Sequence, residues 1–435
     1  MAQDLNRKLV VEGLLKVEKS GFSNLVLPSL LKDTRLSSQD KAFISNLFYG
    51  TIERKITLNH ILQSFISKPL KKLDKEVLAI MQSGLYQILY MNSVPSFAAI
   101  NQAVGLCSSF KKTSAKGLVN AVLRKVSANG VVLPDEKDKF TFLSVKYSCP
   151  VWLIKKWFNE YGETDTVEML KSSVGEPPLY IRVNNTLTDV NKLKESLSEQ
   201  GIESEFTEIK NSLRVHFSGK DIEKTDAYKN GLFHVQDLAS QICAAAVDAQ
   251  PGQTVFDLCS APGGKAYTVA ENMNNEGKVL CFDIYESRVK LIKNGANRLG
   301  LDIIQAQVSD ASVFNSKIGK ADRVLCDVPC SGLGIIRRKP EIKYKNADEF
   351  SDLPEIQYSI LKNASSYVKP EGRLIYSTCT LSKAENDNVV DRFLAENNDF
   401  EADSFAVNNQ KFSTLTLMPH KNNSDGFFIS VFRRK

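Results

Sequence analysis

The chain has 435 residues, 43% apolar and 24% charged, with eight cysteines. That is an ordinary globular composition with room for about three domains, and it excludes a collagen, a mucin-like stalk, wholesale disorder and a disulfide scaffold. The formal net charge is +6, but residues 1–140 hold 20 Lys and Arg against 11 Asp and Glu, a net +9 that leaves −3 for the rest; a basic first third points either to a polyanion such as nucleic acid or to a solvated, lysine-rich helical surface.

The opening MAQDLNRKLV has no apolar core followed by small residues, so no secretory signal is expected. The best membrane candidate, Val77 to Met91, is broken by Gln82, Ser83, Gly84 and Gln87 and reads as a buried helix. A cytoplasmic chain with reduced thiols and no membrane contact is expected. Residues 1–130 read as all helix, four to seven helices in a bundle. Leu70, Leu73, Val77, Ile80, Met81, Gly84, Leu85, Ile88 and Leu89 recur at three- and four-residue steps and form one wide apolar face. Ser37 with Asp40 reads as a capping box ahead of Phe43, Ile44, Leu47 and Phe48. Segments are expected to end at Pro28, Pro69, Pro95, Gly50 and Gly130.

Asn129 to Lys139 reads as a polar linker, and Trp152, Leu153, Ile154, Trp157 and Phe158 mark an aromatic helix. The period then changes. Leu179, Ile181 and Val183 alternate as a strand, Asp189 to Gln200 is helical and closes at Gly201, and Leu213, Val215 and Phe217 alternate again. Such a run resembles a small ferredoxin-like or RNA-recognition-type module, without the aromatic signature that stacks bases. From Thr254 on, strands and helices alternate. Strands are expected at Val255–Cys259, Lys278–Ile284, Ile303–Val308, Arg323–Asp327, Arg373–Thr378 and in a last pair ending in Phe427–Phe432, with helices such as Glu286–Leu299 and Lys383–Glu396 between. This predicts a parallel, helix-covered α/β sheet with an antiparallel hairpin at one edge.

The first strand runs into Cys259-Ser260-Ala261-Pro262-Gly263-Gly264-Lys265. Proline and paired glycines let the backbone turn sharply and pass close to a ligand. Lys265 is followed by Ala266 rather than a hydroxyl residue, so a phosphate cradle is disfavoured. Asp283, Asp310 and Asp327 close the next three strands. Each alone could be a helix cap or turn residue. Three on successive strand ends suit a ligand that is neutral or cationic around a ribose, as S-adenosylmethionine is and a pyrophosphate is not.

Cys107, Cys149, Cys243, Cys281 and Cys326 sit among apolar neighbours and read as small buried hydrophobes. Cys330 and Cys379 instead follow strand ends, where open α/β sheets hold ligands. Their 49-residue separation and four scattered His do not fit a metal site, and a disulfide would be odd in a reducing compartment. A nucleophilic role stays open, since the thiolate is the reactive form.

Taken together, DLCSAPGGK, CFDI, DVPCSGLG, IRRKPEIKY and YSTCTLSKAEN resemble the 5-methylcytosine RNA methyltransferases, and among them the bacterial 16S rRNA enzymes of the RsmB/Sun/Fmu family. GTIERKITLNHIL, GLYQILYMNSVPSFAAINQAV and AKGLVNAVLR are similar to their NusB-like N-terminal domain, and GLFHVQDLASQICAAAVDAQPGQ and DGFFISVFRR to the lead-in and last strand of their catalytic domain. The resemblance implies an all-α NusB-like RNA-binding domain over 1–130 and a helical linker with a small ferredoxin-like α+β module over 140–235. It implies a Rossmann-like S-adenosylmethionine-dependent methyltransferase domain over 236–435. It implies Cys379 as nucleophile and Cys330 as the second cysteine, which aids product release. Asp327 would act near N3 of the base, and Cys259, Ser260, Ala261, Pro262, Gly263, Gly264, Lys265, Asp283, Asp310 and Asp327 would contact S-adenosylmethionine or the base. The implied protein is a monomer acting on 16S rRNA without a metal. Ser260, Val328 and Gly332 depart from the family pattern and bear on the shape of the base pocket. Two other readings are the same chemistry on tRNA, and a non-enzymatic RNA-binding or antitermination factor. The retained pair Cys330 and Cys379 with Asp283 speaks against the latter.

Overall fold

The computed structural model describes residues 4–19, 21–216 and 222–435. They form two compact units. One joins Met1–Glu176 with Ile336–Ala347, and the other joins Pro177–Ile335 with Asp348–Lys435.

In the first unit seven α-helices precede residue 130, at Leu5–Lys19, Ser23–Leu30, Ser38–Glu53, Lys55–Phe65, Lys75–Tyr90, Ser96–Ser109 and Lys116–Asn129. The apolar face read from the sequence is the hub. Val77, Ile80, Met81 and Leu85 are buried, and Lys75–Tyr90 packs against helices on every side. The capping box forms as expected. Asp40 N donates to Ser37 Oγ at 3.1 Å and Ser37 N donates to Asp40 Oδ2 at 3.0 Å. Pro28 and Gly50 correct the expectation, since Pro28 lies inside Ser23–Leu30 and Gly50 inside Ser38–Glu53 instead of ending them. Only Ser29 and Leu30 follow Pro28 in the helix, less than a full turn, and buried Leu27 and Leu30 on either side of it hold this end on the core. Pro69 and Pro95 do mark breaks, each just before a new helical segment. After residues 130–138 come Lys139–Tyr147 and the aromatic helix Val151–Ser172, interrupted at Gly162.

Ile336–Ala347 is bound into this helical unit by polar contacts. Glu341 accepts from Ser23 N at 3.0 Å and Ser23 Oγ at 2.7 Å, at the start of a helix. Lys343 Nζ donates to Glu53 O at 2.9 Å, and Tyr344 OH lies 2.8 Å from both Ile52 O and Glu53 O.

The second unit holds two main sheets. In the first, β1 (Leu179–Val183), β2 (Ser204–Phe206), β3 (Ser212–Val215) and β4 (Phe233–Val235) lie in the order β2-β3-β1-β4, all antiparallel. Helix Val190–Glu199 covers them, capped by Asp189. Phe217, read as part of an alternating strand, lies outside the described residues.

The larger sheet is built from β5 (Thr254–Asp257), β6 (Lys278–Asp283), β7 (Ile304–Val308), β8 (Ala321–Asp327), β9 (Val368–Thr378), β10 (Phe400–Ala402), β13 (Thr414–Leu417) and β14 (Phe427–Arg434), with β11 (Phe405–Val407) and β12 (Gln410–Phe412) forming a separate hairpin. Its order is β10-β14-β9-β8-β5-β6-β7. The run from β9 to β7 is parallel, and β14 joins it antiparallel. The expected antiparallel edge is therefore present. Alternate residues feed two cores. Phe256, Phe282, Val324, Tyr376 and Phe428 face one side, and Val255, Cys281, Leu325, Ile375 and Ile429 the other. Burial on both faces explains why these strands read as nearly continuous apolar runs. The strand order reverses around β5, between β6 and β8, which places a ligand crevice at the carboxyl ends of those strands.

Candidate active site

The loop after β5 is fixed before any ligand arrives. Ser260 N donates to Phe282 O at 2.8 Å and Gly263 N to Ser260 O at 2.8 Å. Tyr267, one turn into helix Gly264–Asn272, donates its hydroxyl to Pro262 O at 2.9 Å. Gly263 has φ +110°, and a Cβ there would lie 2.4 Å from the Tyr267 ring, so a side chain has no room.

Two sequence-predicted acids, Asp283 and Asp310, and one that was not predicted, Asp257, gather around this loop. Asp283 is buried at the end of β6, and Arg288 bridges it at 3.2 Å to Ala261 O at 3.0 Å. Ile284 and Tyr285, which follow, are exposed apolar surface beside that carboxylate. Asp310 is exposed, with Oδ1 accepting from Ser312 N at 2.9 Å and Ser312 Oγ at 2.7 Å, and it adjoins the others through Ser309 N to Asp283 O at 3.1 Å. Asp257, at the end of β5, was missed in the sequence. It is buried, its Oδ1 has no hydrogen-bond partner, and burial pushes its pKa up to about 7, against a lowering by the Ser260 hydroxyl. Its signal was position, a fourth acid at a strand end.

Lys265 belongs to a polar triad with Asp327 and Ser377. Its Nζ donates to Asp327 Oδ2 at 2.6 Å, while Ser377 Oγ donates to Asp327 Oδ1 at 2.9 Å. Burial works against the ammonium, but Asp327 outweighs it and the Lys265 pKa is raised. The same Nζ lies 5.0 Å over the Phe427 ring.

Cys330 and Cys379, 49 residues apart in sequence, meet with their sulfurs 3.3 Å apart. Both are free and partly accessible, whereas Cys107, Cys149, Cys243, Cys281 and Cys326 are buried. The hydrogen bond to Cys379, then burial, then the nearby Glu385 and Asp327 push the Cys330 thiol well above its ordinary range. Either sulfur of the pair can donate the S–H to the other. Gly334 N donates to Cys379 O at 3.0 Å and Gly426 N to Gly334 O at 2.9 Å, which ties three loops around the pair. Among the described residues no group of three or more His, Cys, Asp or Glu could hold a metal ion. No helix is long and apolar enough to cross a membrane among them.

A protein of Bacillus subtilis described as a probable ribosomal RNA small subunit methyltransferase B is 37% identical to this chain, covering 99% of it and 98% of the relative. The chain belongs to the ribosomal RNA small subunit methyltransferase B family. Family models agree along its length. "16S rRNA methyltransferase RsmB/F" matches residues 244–433, "NusB family" 4–128, and the RsmF/B-like ferredoxin-like domain 149–218. The crystal structure of PH0851 is 25% identical with TM-score 0.83, covering 99% of this chain and 98% of that one. NSun6 from Pyrococcus horikoshii, solved with SFG, shares the fold at 19% identity and TM-score 0.60, covering 66% of this chain and 98% of that one. The family has a Rossmann-like methyltransferase domain, and β5 to β9 with their helices are its form here.

Proposed function

We propose that the protein methylates C5 of a specific cytosine in 16S rRNA, with S-adenosylmethionine as donor, through a covalent bond between Cys379 Sγ and C6 of the base. The observation that carries this reading is the contact of two free, accessible cysteines at the ends of adjacent parallel strands, next to a loop ringed by acids. C5 of cytosine is a poor nucleophile. Thiolate addition at C6 makes it enamine-like and able to take a methyl group. S-adenosylmethionine, when bound, supplies that methyl on a sulfonium.

The residues present fit such a donor. An unpartnered buried Asp257 oxygen favours a cationic ligand, and Asp283 stands where ribose hydroxyls are held in open α/β sheets. The loop Cys259 to Lys265 and Asp310 complete that side. Asp327, gripped by Lys265 and Ser377, is the candidate acid for N3 of the base, and the Lys265 ammonium would offset negative charge that develops on the ring during addition. After methyl transfer a general base takes the C5 proton, the C5–H electron pair forms the C5=C6 double bond, and the C6–S bond breaks with its pair on Cys379 as thiolate, with Cys330 beside it to assist. A cytosine must leave its stack to reach this pocket. We assign RNA contacts to the basic helical domain, residues 1–130, the small module to 140–235 and catalysis to 236–435, in a cytoplasmic monomer.

Replacing each cysteine separately tests the scheme. Cys379→Ala is expected to abolish both methylation and any covalent RNA complex. Cys330→Ala should still attack, then stay trapped on its methylated product as a protein–RNA band on a denaturing gel. RNA carrying 5-fluorocytosine should trap the wild type likewise, since fluorine cannot leave as a proton. An adduct from Cys379→Ala but not Cys330→Ala would reverse the roles. Normal methylation of 16S rRNA with no adduct in either trap would overturn thiolate addition.

A further inference from the structure

Strand ends alone do not hold the two cysteine loops. Helix Asp387–Glu396 is preceded by Glu385 and Asn386, both buried, Glu385 bonding chiefly to the Cys330 loop and Asn386 to the Cys379 loop. Asn386 brackets Cys379, since its Oδ1 accepts from Thr378 Oγ1 at 2.6 Å and its Nδ2 donates to Thr380 O at 3.0 Å. Glu385 brackets Cys330. It accepts from Ser331 N at 2.8 Å and Ser331 Oγ at 2.6 Å on one side. On the other it accepts from Gln357 Nε2 at 3.0 Å, and that same amide donates to Pro329 O at 3.0 Å. Ser331 Oγ and Thr380 Oγ1, each the residue after a cysteine, lie 2.7 Å apart. A fourth, longer acceptance comes from Thr380 Oγ1 at 3.5 Å, and four acceptances by one buried carboxylate would be wasteful as mere anchorage, because a buried charge is costly unless its partners are fixed. Here those partners are the residues that set where Cys330 sits. The Glu385 carboxylate also contributes to keeping Cys330 protonated, behind Cys379 and burial.

We propose that Glu385 is a positioning residue that holds the Cys330 loop on the Cys379 loop, so that Cys330 reaches the Cys379–C6 bond after methyl transfer. The proposal rests on the covalent reading above. It assigns Glu385 to the release step and leaves the attack to Cys379, whose loop is held mainly by the two shorter Asn386 bonds, the Glu385 contact to Thr380 being long at 3.5 Å.

The test uses full-length Glu385→Ala, Glu385→Gln and Ser331→Ala with a 16S rRNA transcript and S-adenosylmethionine, followed by a denaturing gel. Trapping on 5-fluorocytosine RNA reads the attack alone. Glu385→Ala is expected to be trapped at close to the wild-type rate, yet to turn over at least tenfold more slowly and accumulate adduct on ordinary RNA. Glu385→Gln keeps an acceptor for Ser331 and should recover part of the turnover. If Glu385→Ala does not fold, Ser331→Ala decides, because it removes a single donor and should show a smaller accumulation with unchanged trapping. Equal losses of trapping and turnover would make Glu385 a structural anchor and overturn the proposal, as would normal release in both variants. A wild type that 5-fluorocytosine RNA does not trap overturns the covalent reading itself.

Discussion

Asp257 places a carboxyl where water cannot reach it, at 2% exposure and with one oxygen unpartnered. Ionising it there forfeits hydration, so its pKa rises from 3.8 to about 7. The sign of the consequence follows from linkage. The folded state prefers the protonated acid, so this stability is fully present below about pH 3.8 and is lost as pH rises through about 7. At about 1.4 kcal/mol per pKa unit the whole effect is at most about 4 kcal/mol. Asp257→Asn is neutral at every pH. Thermal unfolding of both ligand-free proteins from pH 5 to 8 should show the stability gap moving toward the variant as pH rises, and a gap that ignores pH would place the titration elsewhere. A cationic ligand in the crevice would favour the ionised form, so the same residue couples binding to proton release. Nothing in the local sequence distinguishes Asp257 from the acids at the neighbouring strand ends. What sets it apart is its buried, unpartnered Oδ1, which only the packed structure defines.

At the scale of elements, the site depends on three loops touching through backbone. A Cβ on Gly334 would stand 2.0 Å from Gly426 O and 2.9 Å from Cys379 O, and neither atom can rotate away. Gly334→Ala should therefore push the Cys379 loop outward, with a loss of roughly 1–3 kcal/mol in thermal unfolding and a clear drop in 5-fluorocytosine trapping. An unchanged trapping rate would show that the loop absorbs the methyl group. The parallel strands and their acids were legible in the sequence because burial on both faces writes apolar runs that end in polar turns. The capping box at Ser37 was legible for the same local reason. Glu385 was not. It falls in a stretch that reads as the start of helix Lys383–Glu396, but the helix begins at Asp387, because Glu385 and Asn386 spend their side chains on loops up to 54 residues away. Strand β4, only three residues long, is too short to show a period, and Pro28 is tolerated by packing that no neighbouring residue announces. What escaped was in each case set by partners distant in the chain.

For the molecule as a whole, the segment after the Cys330 loop carries a constraint on how RNA binding can be tested. Glu341, Lys343 and Tyr344 take their partners from Ser23, Ile52 and Glu53 within the helical unit. Deleting residues 1–140 would strand a buried lysine whose pKa burial already lowers to about 8, so loss of RNA binding would be mixed with loss of folding. Charge removal on the surface avoids this. Lys68, Lys71 and Lys72 are exposed between helices Lys55–Phe65 and Lys75–Tyr90, in the basic third of the chain. Each lysine that meets a phosphate releases a counterion, worth about 0.7–0.9 in the slope of log affinity against log salt. Converting all three to alanine should weaken 16S rRNA binding at low salt, flatten that slope by up to about 2–3, and leave S-adenosylmethionine affinity unchanged by calorimetry. A slope equal to that of the wild type would mean that these lysines only solvate the helical surface, and that phosphate contacts are made by other residues.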